Sequence, residues 1–223
     1  MWLDGSIGAF VSLKNASITM SGFVYFNKNF DIRICTLPTE DMNGKLQIYY
    51  DSPWILKKIQ IRQTIHFLCY HEESKTYAVA SSVAETTNKI VQLGGEDKEH
   101  EVHEKDENFI LPTKSQFFIQ LYTPNGWEVL PLGKYTLAEW EHVSSLKLVS
   151  LPYEGHSSGF RSYLAATTVN CYNEDVNSRG RILIFDVIET VPEPDKPLTS
   201  IKMKTILEKE QKGPVTCLES ING

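Results

Sequence analysis

The sequence predicts an all-β fold: a partial β-propeller of four-stranded antiparallel blades. Three observations predict it. Short β-rich runs alternate with turn residues along almost the whole chain, the runs fall into consecutive groups of four, and the groups begin near residues 65, 143 and 215. Serial four-stranded sheets are the sequence mark of a propeller. A β-sandwich or jelly roll is the alternative, because either is also assembled from many short strands.

Taken in order, residues 10–13 read as a short strand, and residues 22–26 and 31–37 as two strands joined by a turn at residues 27–29. A β-rich run on each side of an Asn-containing turn is a hairpin signal. Residues 45–50, KLQIYY, are strand-like, and in 55–61 Ile55, Ile59 and Ile61 keep the two-residue period of a half-buried strand. This stretch, within residues 1–64, reads as the remainder of an earlier group.

The second group, residues 65–135, comprises runs at 65–71, 76–81, 117–122 and 127–130. Hairpin turns are predicted at residues 72–75 and 124–126, the second marked by the Asn125–Gly126 pair. Between them lies the tract 94–108, with seven acids and two lysines. Like charges at that density repel and bury little, which predicts a solvated insertion.

The third group, residues 136–212, comprises runs at 143–151, 163–169, 181–188 and 202–207, with the proline-rich connector 192–197 before the last. Proline cannot donate to a central ladder, so the connector lies outside the sheet. Residues 213–223 are read as a turn at Gly213–Pro214 and the first strand, 215–218, of a further blade. Exposed edges at both ends of such an array are an aggregation hazard, so the chain reads as a piece of a longer one.

Composition narrows the function. The 223 residues are 41% hydrophobic and 22% charged, enough for a substantial core. The net charge of −6 argues against a broad non-specific nucleic-acid surface and leaves room for a local basic patch. Cys35, Cys69, Cys171 and Cys217 are far apart, which supports neither a disulfide framework nor a zinc knuckle and suits reduced thiols in a nuclear or cytosolic setting. No apolar run approaches membrane-spanning length, and the first residues lack the pattern of a signal peptide.

No pattern of catalytic chemistry stands out. His66, His71, His100, His103, His142 and His156 lack metal-ligand spacing, and HEESK at residues 71–75 is not HExxH, since Lys75 stands where a histidine is needed. There is no GxGxxG, no GxxxxGK and no GxSxG. The expectation is a protein that is not an enzyme and carries no cofactor and no metal.

Binding residues are better candidates. Arg179, Arg181, Lys202 and Lys204 are placed to meet RNA phosphates, with Tyr172 nearby to stack or to contact a partner. The plain alternative is a wet strand face, since Lys202 and Lys204 are two apart and share one side. Trp54, Trp127 and Trp140 suit packing between sheets. Trp140, in AEWEH, is the candidate for a protein interface because acids surround it.

Several segments carry a resemblance. FVSLKN (residues 10–15), GFVYFN (22–27), HEESKTYAVASS (71–82), LAEWEHVSSLKLVSL (137–151) and above all the stretch 179–218, with VPEPDKPLT and EKEQKGPVT, resemble the large-subunit family of the cleavage and polyadenylation specificity factor. The resemblance spans nearly the whole chain. It implies a nuclear scaffold of three propellers and a C-terminal helical domain, acting in pre-mRNA 3′-end processing. The scaffold would organise a WD-repeat partner and a zinc-finger partner that recognise the AAUAAA signal. This chain would cover the end of one propeller and the start of the next. The second reading keeps a direct RNA-binding module acting through the basic residues above.

Overall fold

The structure, a computed structural model, describes residues 7–13, 22–27, 31–36, 55–94, 99–106, 108, 113–155, 159–172 and 176–221. Among these residues it is built from strands, with one short 3-10 helix. Sheet 1 consists of β1 (Ile7–Leu13), β2 (Gly22–Asn27), β3 (Asp31–Thr36) and β4 (Ile55–Gln60). Sheet 2 consists of β5 (Thr64–His71), β6 (Thr76–Thr86), β9 (Thr113–Tyr122) and β10 (Val129–Thr136). A two-stranded ribbon, β7 (Lys89–Gly94) and β8 (Glu99–Glu104), is inserted between β6 and β9. Sheet 3 consists of β11 (Glu141–Pro152), β12 (Phe160–Asn170), β13 (Gly180–Glu189) and β14 (Ile201–Gln211). Each sheet is an antiparallel meander.

The sheets stack in the same order. The first strands meet, with β5 against β1 on one side and β11 on the other, and the last strands β10 and β14 meet likewise. This is the arrangement of consecutive propeller blades, and it is consistent with the partial propeller read from the sequence.

The core follows from a two-residue period buried on both sides. Along β6, Tyr77 and Val79 pack with Val24, Phe26, Ile32 and Ile34 of sheet 1. Ala78 and Ala80 point the other way, into a cluster with Leu146, Leu164, Leu183 and Phe185 of sheet 3. Small alanines opposite large rings and leucines let the two sheets interdigitate. On β12 the same alternation sends Leu164 and Ala166 toward sheet 2, and Tyr163 and Ala165 into a smaller cluster on the far face.

A polar clip reinforces the second junction. The turn after β5 holds Ser162 of β12 by both backbone groups: Ser162 N–H donates to Glu73 Oε1 (2.8 Å), and buried His71 donates from Nε2 to the Ser162 carbonyl (3.2 Å). His71 Nδ1 accepts from the Ser74 backbone N–H (3.2 Å), which fixes the neutral tautomer with the proton on Nε2.

Several expectations meet corrections. The group read as a remainder holds four strands. The acidic tract is half ladder, because the partner strand β7 carries no acid: Glu104 faces Lys89, Glu101 faces Gln92 and Glu99 faces Gly94. Residues 214–220 are not strand. Val215 obtains one backbone bond, its N–H to Thr168 O at 3.3 Å, and Ser144 Oγ donates to its carbonyl, which is no ladder. The connector ends in the 3-10 helix Pro197–Ser200. The turns at residues 72–75 and 124–127 are in place, with Gly126 supplying a left-handed φ of +83°. The predicted strand at 45–50, the turn residues 28–29, Trp54 and His156 lie outside the described residues.

Two predictions follow from the packing. Leu164→Ala, at a fully buried position between sheets 2 and 3, is expected to cost about 2–5 kcal/mol in denaturant unfolding. His66, His71 and His142 are all held below the ordinary value of 6.5 by burial. The unfolded chain therefore binds protons first. Their contribution is fully present above about pH 6.5 and is lost as pH falls through the folded values. Thermal midpoints measured from pH 7.5 downward are expected to fall already between pH 6.5 and 5. His71→Gln is expected to flatten that segment.

Candidate binding cleft at the second junction

Sheet 2 passes to sheet 3 through residues 137–140, and the junction builds the candidate site. Leu137 N–H donates to Phe117 O (3.1 Å), Glu141 N–H to Ala138 O (3.2 Å) and Cys171 N–H to Trp140 O (2.7 Å). These bonds hold Trp140 at a left-handed φ of +58°. Arg62, in the link from sheet 1 to sheet 2, has the same φ of +58°. The conformation thus belongs to both connections, and a bulky side chain in it is strained.

Behind the link lies a buried ion pair. Glu141 is 1% exposed. It accepts from Arg181 Nε (2.7 Å), from a second Arg181 nitrogen, from Thr168 Oγ1 (2.6 Å) and from Ala138 N–H (3.2 Å). Burial pushes the Glu141 carboxyl up, but the hydrogen bonds from Arg181 and Thr168 and the Arg181 charge outweigh it, leaving the group below the ordinary carboxylate range. Arg181 also pairs with Glu208 across the sheet. Gly180 makes this geometry reachable: a Cβ there would stand 2.1 Å from the Thr168 carbonyl oxygen.

In front of the link is an open cleft of about 560 Å³. Trp140 and Tyr172 form one wall, with ring centroids 6.2 Å apart. Ile90 and Val91 of the ribbon, Ser115 of β9 and His142 of β11 also line it, with Lys89 and Lys114. Lys114 Nζ lies 5.7 Å from the Trp140 ring centroid and pairs with Glu139, and Lys89 reaches Glu139 at 3.8 Å. The Lys114 hydrogen bond is the main reason the Glu139 carboxyl sits below its ordinary range. A second depression of about 270 Å³ shares Tyr172 and is lined by Arg179, Arg181 and Glu210.

Of the residues singled out in the sequence, Trp140, Tyr172, Arg179 and Arg181 therefore converge. Arg179 is exposed, whereas Arg181 is committed to Glu141 and Glu208. Lys202 and Lys204 lie near the opposite end of β14, where Lys202 faces Ile188 and Lys204 faces Asp186; both are exposed. Trp127 packs on Tyr77 at 5.0 Å. Lys89, Lys114, Glu139 and Glu141 were not singled out. The two glutamates beside Trp140 were a signal; the lysines, remote in sequence, gave none. Among the described residues, no group of three or more His, Cys, Asp or Glu is placed to hold a metal ion. The cleft offers aromatic faces, ammonium groups and hydroxyls, which suit binding.

Residues 116–223 match the family model described as CPSF A subunit region. The whole chain is similar to cleavage and polyadenylation specificity factor subunit 1 of Drosophila melanogaster, 40% identical over 220 residues, which is 99% of this chain and 15% of that protein. A probable cleavage and polyadenylation specificity factor subunit 1 of Caenorhabditis elegans is 40% identical over 225 residues, covering 100% of this chain and 15% of that protein. Protein cft1 of Schizosaccharomyces pombe is 29% identical over 202 residues, covering 91% and 13%. The chain thus spans about 15% of the length of the animal relatives it matches.

Arg179→Ala is expected to leave stability unchanged within about 0.5 kcal/mol. Arg181→Ala strands a buried carboxylate and is expected to cost about 3–5 kcal/mol. Urea unfolding of the two variants side by side checks the contrast.

Proposed function

We propose a scaffold role on one premise: the chain belongs, through residues 116–223, to the CPSF A subunit region family. In this reading it is a non-catalytic component of the nuclear machinery for pre-mRNA 3′-end cleavage and polyadenylation, supporting recognition of the AAUAAA signal. Its partners are the WD-repeat and zinc-finger subunits of that machinery. The observation that carries the proposal is 40% identity, over 99% of the chain, to a protein named as a subunit of the specificity factor.

The architecture supports it. Sheets buried on both faces give a stiff stack, and loops and blade ends on such a stack can diverge to meet partners while the core holds them in place. A second reading, a direct RNA-binding module, draws on Arg179 beside Tyr172 and on the exposed pair Lys202 and Lys204. That reading loses Arg181, whose donors are spent within the fold.

Affinity-tagged full chain, mixed with purified WD-repeat and zinc-finger subunits, is expected to retain at least one of them through a gel-filtration column. AAUAAA RNA and scrambled RNA are expected to bind it equally and weakly, with affinity falling as salt rises. Tight AAUAAA-selective binding by the chain alone, lost in Arg179→Ala and kept in Lys202→Ala, would replace the scaffold reading with the RNA-binding one. Retention of neither subunit, with folding verified, would remove the scaffold reading.

A further inference from the structure

The connection between β13 and β14 is longer than joining them requires. Glu189 of β13 pairs directly with Ile201 of β14, so a tight turn would close the hairpin. Hairpin loops of about two to five residues are the rule. Residues 190–200 stand there instead, with prolines at 192, 194 and 197.

The loop is bonded to itself throughout. Thr190 N–H donates to Ser200 O (2.7 Å) and Thr190 Oγ1 to Thr199 O (2.7 Å), which closes the base. The hydroxyl of buried Thr199 ties the middle, donating to Lys196 O (2.8 Å) and accepting from Glu193 N–H (2.8 Å). Lys196 N–H donates to Glu193 O (3.0 Å) across Pro194 and Asp195. Proline followed by a left-handed residue at the centre of such a turn is the type II pattern. Asp195 holds φ at +65°, where glycine is the relaxed choice. Leu198 anchors the loop by packing on the cluster between sheets 2 and 3.

The side chains that this bonding holds in place face outward. Residues 191–197 are all exposed. Val191 is 94% exposed, more than any other large hydrophobic among the described residues. The Glu193 carboxylate is held by Lys196 (2.8 Å), whereas Asp195 has no salt bridge among the described residues. The internal hydrogen bonds account for the shape of the loop. They account neither for an apolar side chain at 191 nor for an acid at 195.

We infer that the loop 190–200 is a preformed recognition element whose partner is a protein surface with an apolar pocket for Val191 and a basic side chain at the rim for Asp195. Folding has already ordered the loop, so association does not have to order it again. Removing Val191 from water is favourable wherever a pocket admits it. The Asp195 carboxylate selects a cationic rim and fixes the orientation. It repels phosphates, so the loop suits a protein and not a nucleic acid. The inference rests on the scaffold reading and names one surface through which it acts.

Biolayer interferometry of the purified full chain against the purified WD-repeat and zinc-finger subunits, at low and high salt, tests it. Val191→Asp is expected to weaken binding to one of them by about tenfold or more, with the thermal midpoint of the chain unchanged. Asp195→Gly is expected to keep or raise the midpoint, because it relieves the left-handed turn. It is nevertheless expected to weaken the same binding by about threefold or more and to reduce its dependence on salt. A residue that served only the fold would show the reverse, a lowered midpoint with binding intact, and that result overturns the inference. Parent-like binding by both variants overturns it as well and leaves the scaffold reading standing on other surfaces. Binding of neither subunit by the folded parent removes the scaffold reading and the inference together.

Discussion

The fold depends on sheets whose two faces are both apolar. Strand β6 buries Tyr77 and Val79 on one side and Ala78 and Ala80 on the other. A four-stranded sheet of that kind has no face to give to water, so it is stable only between two others. Fully burying one large aliphatic or aromatic side chain is worth about 1.5–3 kcal/mol, and each junction buries many. Apolar contact is non-directional, however, and would tolerate sliding. The polar clip from Glu73 and His71 to the two backbone groups of Ser162 gives the second junction a fixed register.

The buried pair of Glu141 and Arg181 performs a related task at the opposite end of that junction. Glu141 bonds the link through Ala138 N–H, the second strand of sheet 3 through Thr168, and the third strand through Arg181. An ion pair taken from water gives little net stability, because desolvation offsets attraction. Its value here is positional. The single carboxylate at the start of β11 sets where the link ends, and so where Trp140 stands.

Much of the fold was legible because its signals are local. Asn125–Gly126 marks a turn whatever surrounds it, and the proline-rich connector excludes itself from a ladder. The grouping into fours was legible because the links between sheets and the turns within them recur. What went unread has one cause: pairing is a property of two segments, and each was read from one. The acidic tract was read as a solvated insertion, and the strand β8 within it shows only when the acid-free β7 is set opposite it. Residues 215–218 looked fit for a strand, yet they obtain isolated bonds in place of a ladder. The site divides the same way. Trp140 stood out by its flanking glutamates, whereas Lys89 and Lys114 lie far away in sequence and reach the cleft only through the ribbon and β9. Arg181 looked like a free cation because its partner is forty residues away.

The placement of the cleft is itself a consequence of the stack. Within a sheet the inner strands are paired on both sides, and between sheets the side chains interlock. The cleft opens where the chain leaves one sheet and enters the next. At this junction the link turns sharply at Trp140 and does not fill the space ahead of it, while the ribbon, carried out from sheet 2 between β6 and β9, closes the other side. The ribbon has no role in the sheet order, since β6 pairs with β9 directly over ten residue pairs. Removing it would leave the pairing of sheet 2 in place and take away Lys89, Ile90 and Val91 together. The insertion adds nothing to the sheet order and supplies one wall of the cleft.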